Sequence, residues 1–381
     1  MGESEKMSKE EEFVFWLACI QGISSSKKRL LQETFGCAKA VYYIEETGRK
    51  SCWFLTEKEK AALKEHQKEA VLDERKRVWE KARKKGIKLT YWTDSAYPEK
   101  LSRIVQPPYA LFGAGKECFA FEGVTAAIVG AREASAYGRQ MTYEYGRELA
   151  KAGMNIISGM ARGIDAAGLE GALLEGKGHC AVLGSGVDVC YPKDNQRLYQ
   201  RLWEDGRILS EYPPGTPPLA RNFPPRNRII SGLADVVLVM EARKRSGSLI
   251  TADFALEQGK DVYALPGPVT SDLSRGCHQL IRQGAGILVS PEEFLCDLPY
   301  KLQKSLIEFC KNPVKNSNEN EIMLESPEKL LYSVLSLEPK NIQEIEDQLS
   351  LPRGEIMEAL LNLEMNGWIQ EVSKNDYIRL K

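Results

Sequence analysis

Six short apolar runs, each followed by a helix-like stretch, constrain this chain most strongly. They read VTAAIVG (124–130), MNIISG (154–159), HCAVLGSG (179–186), RILSEY (207–212), DVVLVMEA (235–242) and DVYALPG (261–267). Their apolar residues are continuous rather than alternating, which requires cover on both faces. Stretches with helical spacing lie between them, at 138–152, 163–175, 194–204 and 249–258. That alternation predicts a parallel sheet with helices on both sides, an α/β domain of doubly wound, extended Rossmann-like type. Ligands of such a sheet bind beyond the carboxyl ends of the strands, near the point where strand order reverses.

The loops expected at that edge carry most of the unusual residues. After the first run comes VGAREASAYG, with Arg132 and Ser135 at the start of a helix, where free amides and the helix dipole attract anions. The motif G-x-G-x-x-G is absent and no acidic residue ends the second strand, so dinucleotide binding is disfavoured. The second loop, SGMARGID, brings Gly159, Arg162 and Gly163, and the third, GSGVDVCYPKDN, brings Lys193. The fourth, NFPPRNRIISGL, places Arg226, Asn227 and Arg228 behind two prolines. The fifth, EARKRSGSLITADFA, supplies Ser246, Gly247, Ser248 and Thr251 at another helix start, a good set of phosphate donors. Each cluster alone has an ordinary explanation as a cap or a solvated turn. Five together predict a cationic, amide-rich edge able to hold several phosphates in a row, which favours a polymer over a single nucleotide.

Composition fixes the remaining bounds. The 381 residues carry 52 Lys+Arg against 53 Asp+Glu, so only a local patch can attract an anion. Nine scattered cysteines without a C-x-x-C pair fit free thiols in a reducing cytoplasm, and three histidines leave little for metal sites or triads. The acidic start, MGESEKMSKEEE, is not a signal peptide, and no apolar run has the length of a membrane span. No D-x-D pair or Walker A ending appears, and His278 reads as structural. The expected domains are a helical module over 1–92, the Rossmann-like domain over 93–310, a polar linker over 311–326 and a winged helix-turn-helix over 327–381. Around Gly22 the helical module has the look of a helix-hairpin-helix pair, with plain helical packing as the alternative. The winged-helix segment holds six Lys/Arg against ten Asp/Glu, and its presumed recognition helix carries Glu355, Glu358 and Glu364. Phosphate would repel that face, which points to protein contact rather than duplex reading.

The stretches YPEKLSRIVQPPYALFGAG (97–115), SGMARGIDAAG (158–168), AVLGSGVDVCYPKDN (181–195), SEYPPGTPPLARNFPPRNRIISGL (210–233), EARKRSGSLITADFALEQGKDVYALPG (241–267) and SRGCHQLIRQGA (274–285) closely resemble the DNA-processing protein DprA (Smf) family. The resemblance implies an extended Rossmann fold flanked by a SAM-like helical module and a winged helix. It further implies a cytoplasmic homodimer that binds single-stranded DNA and loads the RecA recombinase in natural transformation, with no cofactor and no catalytic step. Arg132, Lys193, Arg226 and Arg228 match the family's DNA-contacting positions. Two departures stand out: GAR where the family commonly has G-S-R, and Gly168-Leu169 where it usually has Ala-His. Losing that histidine fits a binder better than an enzyme. The alternative is a phosphoribohydrolase-like enzyme acting on a nucleoside monophosphate, whose P-G-G-x-G-T loop is replaced here by PGP (266–268) and SGS (246–248). A third reading, an interaction scaffold, rests on the acidic winged helix and the helical N-terminal region.

Overall fold

The computed structural model describes residues 9–176, 178–311, 326–335, 340–349, 351–365, 368–373 and 375–379. The first eight residues of the acidic start, and the expected linker except its two ends, lie outside them. Two compact units emerge, Met1–Cys310 and Lys311–Lys381.

The six predicted runs all form strands of the first unit: β3 (Thr125–Val129), β4 (Asn155–Ser158), β5 (Cys180–Leu183), β6 (Arg207–Ser210), β7 (Val236–Val239) and β8 (Asp261–Ala264). With β1 (Lys88–Tyr91), β2 (Ala110–Gly115) and β9 (Gly286–Ile287) they make one sheet in the order β1-β2-β6-β5-β4-β3-β7-β8-β9. From β6 to β9 every pairing is parallel, while β1 and β2 add an antiparallel edge. The chain leaves β3 to one side for β4 and returns to its other side as β7, so the order reverses between β3 and β7.

Alternate strand residues feed two separate cores, as a sheet covered on both faces requires. On one face Ala126, Ile128, Ile156, Ile208, Val236 and Leu238 pack with Tyr145, Leu169 and Leu202 from the helices Ala136–Lys151, Ile164–Ala172 and Gln196–Glu204. On the other, Ala127, Val129, Ile157, Val182, Val237 and Val239 pack with Ile230, Ala252 and Leu280. Those last three stand on the helices Phe223–Leu233, Gly247–Glu257 and Arg275–Arg282.

Among the described residues six helices precede the sheet, from Lys9–Ala18 to Glu69–Lys84. Gly22, at φ +84°, lies between the first helix and the second, Ser25–Phe35, which the Ser24 hydroxyl caps. The region also reaches into the main sheet. Phe15 and Trp79 stack at 5.0 Å, and both rings meet Phe112 of β2. Residues 88–91, read from sequence as the end of a helical stretch, are strand β1 paired with β2.

The second unit runs Ser326–Val334, β10 (Lys340–Asn341), Ile342–Gln348, Arg353–Met365, β11 (Ile369–Ser373) and β12 (Asp376–Arg379). Its sheet order is β10-β12-β11, the arrangement of a winged helix. Leu331, Ile345, Ile356, Leu360, Leu363 and Tyr377 form its core. Glu355, Glu358 and Glu364 lie exposed on the recognition-helix position.

Candidate nucleic-acid interface

A cleft of about 630 Å³ opens at the carboxyl edge of the sheet, at the reversal between β3 and β7. Gly130 and Arg132 line it after β3, Tyr191 after β5, Phe223, Arg226 and Asn227 after β6, and Arg243, Arg245 to Ser248 and Thr251 after β7. The loops therefore do converge, but they deliver different side chains than their sequences promised.

Arg132 is exposed, and its guanidinium lies over the Phe223 ring at 5.4 Å. It forms no ion pair among the described residues, and neither does Arg245. Phe223 stacks in turn on Tyr191, with centroids 5.6 Å apart and planes at 29°. The cleft thus presents a cation above a pair of stacked rings. Arg243 reaches an exposed carboxylate, Glu133, at 3.6 Å, a contact that water and salt weaken. The helix Gly247–Glu257 begins at the cleft wall, where Ser246 caps it and shares a 2.7 Å hydroxyl contact with Ser248. A side chain added at Gly247 would meet open space, so this helix start is accessible. Asn227 is held beside it by donating through Nδ2 to the Gly247 carbonyl at 3.1 Å. Thr251 lines the same wall but is buried.

Arg226 forms the floor. Its guanidinium donates to the carbonyls of Gly159 and Val182 and is almost fully buried. Burial pushes its pKa down to about 10, against the pull of Asp165. Asp165, also buried, is raised above the usual carboxylate range by desolvation; Arg226 and backbone amides oppose this. The amide of Gly159 donates to Asp165 Oδ2 at 3.1 Å. Any side chain at Gly159 would fall within 2.7 Å of both the Arg226 guanidinium and the Asp165 carboxylate, so this glycine lets the two approach. Gly163 sits at φ +75° against the carbonyls of Ala131 and Arg132, joining the second loop to the first. Both glycines shape the edge from within.

Three expected contributors are turned to other work. Arg228 does not reach the cleft: it is buried, donating to Glu211 at 2.8 Å and to the carbonyls of Gln106 and Pro225. The cause is helical geometry. Arg226 and Arg228 are two residues apart on one helix, about 200° around its axis, so they cannot face the same groove. Ser135 caps the helix Ala136–Lys151, but its N–H and its hydroxyl both donate to buried Glu241, at 2.9 and 2.6 Å. This helix start is therefore already filled by an internal anion. Arg162 pairs with Asp194 at 2.6 Å on the surface. Lys193 is exposed one residue past the cis Tyr191–Pro192 bond, on a turn that Asn195 ties to the carbonyls of Met160 and Ala161. It forms no ion pair among the described residues but does not line the cleft.

The sequence model of the family described as DNA recombination-mediator protein A matches residues 88–299, more than half of the chain. The chain belongs to this family, the DprA/Smf proteins. Protein Smf of Escherichia coli K12 is 41% identical over 286 residues, 75% of either chain. DNA processing protein DprA of Streptococcus pneumoniae R6 is 43% identical over 208 residues, 54% of this chain and 73% of that one. The X-ray structure of S. pneumoniae DprA superposes with a TM-score of 0.64 at 32% identity, covering 77% of this chain and 99% of that one. A structure of Helicobacter pylori DNA processing protein A, described for its single-stranded DNA binding mode, gives 0.50 at 30% identity, covering 54% and 94%. The DprA match thus spans all nine strands of the large sheet and every loop that lines the cleft.

Sequence reasoning missed Tyr191, Phe223, Arg243 and Arg245. The signal for the rings was available: each aromatic stands next to a proline in a loop already singled out, where a ring has no strand neighbours to cover it. Arg243, Lys244 and Arg245 lie together in the fifth loop and were outweighed by the Ser-Gly-Ser that follows.

Proposed function

We propose that the cleft binds single-stranded DNA without sequence preference and without chemistry. The observation that carries this is the layered Arg132–Phe223–Tyr191 arrangement beside an open helix start. The exposed Tyr191 ring, backed by half-buried Phe223, offers a π-face to any base, and duplex DNA keeps its bases stacked internally, so this platform selects unpaired strands. Arg132, Arg243 and Arg245 neutralise phosphates, while Asn227, Ser246, Ser248 and the Gly247 amide donate hydrogen bonds to them. Lys193 extends the same edge beyond the cleft. Arg226 holds the floor in shape through Gly159 and Val182.

Of the two carboxylates at the cleft, Asp165 is held inside by the amides of Gly159 and Ala161, and Glu133 lies exposed in a loose contact with Arg243. This arrangement supports a binder rather than a hydrolase. Membership of a recombination-mediator family supports the larger role, in which the protein receives incoming single strands in transformation and passes them to RecA; a cytoplasmic homodimer is part of the same proposal. No described helix is long and apolar enough to cross a membrane.

A competition assay tests the reading. The protein should shift the anisotropy of a labelled single strand, unlabelled single strand should displace it, and duplex of equal length should compete at least tenfold more weakly. Equal competition by duplex, or release of base from nucleoside monophosphates by the protein alone, would overturn it.

A further inference from the structure

The helix Arg353–Met365 of the winged-helix unit carries an exposed apolar ridge as well as its carboxylates. Ile356, Ala359, Leu360 and Leu363 of this helix are buried in the unit's core. Met357, Leu361 and Met365 are not: they are 46%, 59% and 79% exposed. Residues four apart on a helix drift by only about 40° around its axis, so these three form one ridge, turned away from the buried face. By the same geometry Glu358 and Glu355 flank the ridge on one side and Glu364 on the other, all three exposed. Glu355 and Glu358 form no ion pair among the described residues, and Glu364 accepts the Glu371 amide at 3.2 Å, which leaves its charge in place. Arg353, the helix's one cation, is already taken by Glu346 at 3.1 Å.

The core needs none of these three side chains, and aligned apolar groups left in water mark a contact surface. Carboxylates on both flanks repel phosphate, whether of nucleic acid or of an anionic membrane, and attract Lys and Arg. We infer that the ridge docks an amphipathic helix of a partner protein, with apolar residues at i, i+3/i+4 and i+7 spacing and Lys or Arg along both flanks. Helices associate by seating a ridge of one in a groove of the other, and a single line of three side chains suits that geometry. Burial of the ridge supplies the affinity, while the flanking charges select the partner and speed its arrival. Two of the three ridge residues are methionines, whose unbranched side chains adapt to partners of different shape. The docking face uses no residue of the cleft, so it stands or falls apart from the single-strand reading.

A labelled peptide of about four helical turns, with Leu at those apolar positions and Lys elsewhere, probes the face. A second peptide with every Leu replaced by Ser keeps the charge and lacks the anchors. The full-length protein should bind the first peptide roughly tenfold or more tightly than the second. Leu361→Ser/Met365→Ser changes exposed side chains only and should lose that preference, while its affinity for a labelled single strand stays at the parent's value. Glu355→Gln/Glu358→Gln should bind the Leu peptide several-fold more weakly and with less dependence on salt. Equal binding of the two peptides by the parent, or parent-like binding by Leu361→Ser/Met365→Ser, would refute the docking face. Self-association of the parent that disappears in this variant would assign the ridge to a second copy of the chain, and weaker single-strand binding would assign it to nucleic acid; either result overturns the inference.

Discussion

At the scale of single residues, the two arginines of NFPPRNRIISGL show how one motif divides between scaffold and edge. Arg226 stays at the cleft floor, spending its donors on carbonyls of two neighbouring loops. Arg228 turns to the opposite side of the helix and meets Glu211 with little solvent near either partner. Removing one member of such a pair leaves the other charge uncompensated, at a cost of about 3 kcal/mol. Arg228→Ala should therefore unfold at clearly lower urea concentration, yet bind single-stranded DNA with unchanged affinity where it is folded. Weaker binding by the folded variant would show that Arg228 reaches the strand after all. Motif matching could place both residues near the site, but only helical periodicity tells them apart.

At the scale of elements, two helix starts face the same edge and have opposite fates. The helix Ala136–Lys151 is closed by the Glu241 carboxylate through Ser135, while the helix Gly247–Glu257 remains open. Sequence alone ranked both as anion sites, since a loop with Ser and Gly before a helix looks the same whether or not a distant carboxylate fills it. Gly247→Asp tests the distinction. An acidic residue in the first turn favours the helix dipole, by about 0.3 to 1 kcal/mol, so stability should hold or rise. Affinity for single strands should fall several-fold, because the carboxylate repels the incoming phosphate. Parent-like affinity in thermal-melt-verified protein would remove this helix start from the site. The sheet itself was legible because continuous apolar runs have few alternatives to a doubly wound fold. Strand β1 was not, since KLTY lies next to a long charged helix and becomes a strand only through pairing with β2. The Tyr191–Phe223 stack joins residues 32 positions apart, and no local pattern announces it.

At the scale of the whole molecule, a net charge of −1 means that no overall field draws DNA in. On the proposed reading, attraction comes from the cations of the cleft, and the acidic winged-helix unit does not add to it. Its exposed Glu355, Glu358 and Glu364 suit protein contact better than a phosphate backbone. The account's central claim is that exposed arginines of separate loops act together on one strand. Its most direct test is the salt dependence of single-strand affinity for the parent and for Arg132→Ala/Arg245→Ala. Both changes are at the surface, so folding is spared. Two lost phosphate contacts should weaken binding at low salt and flatten the log–log slope by about 1.4, at roughly 0.7 per contact. An identical slope and affinity in the double variant would contradict the claim.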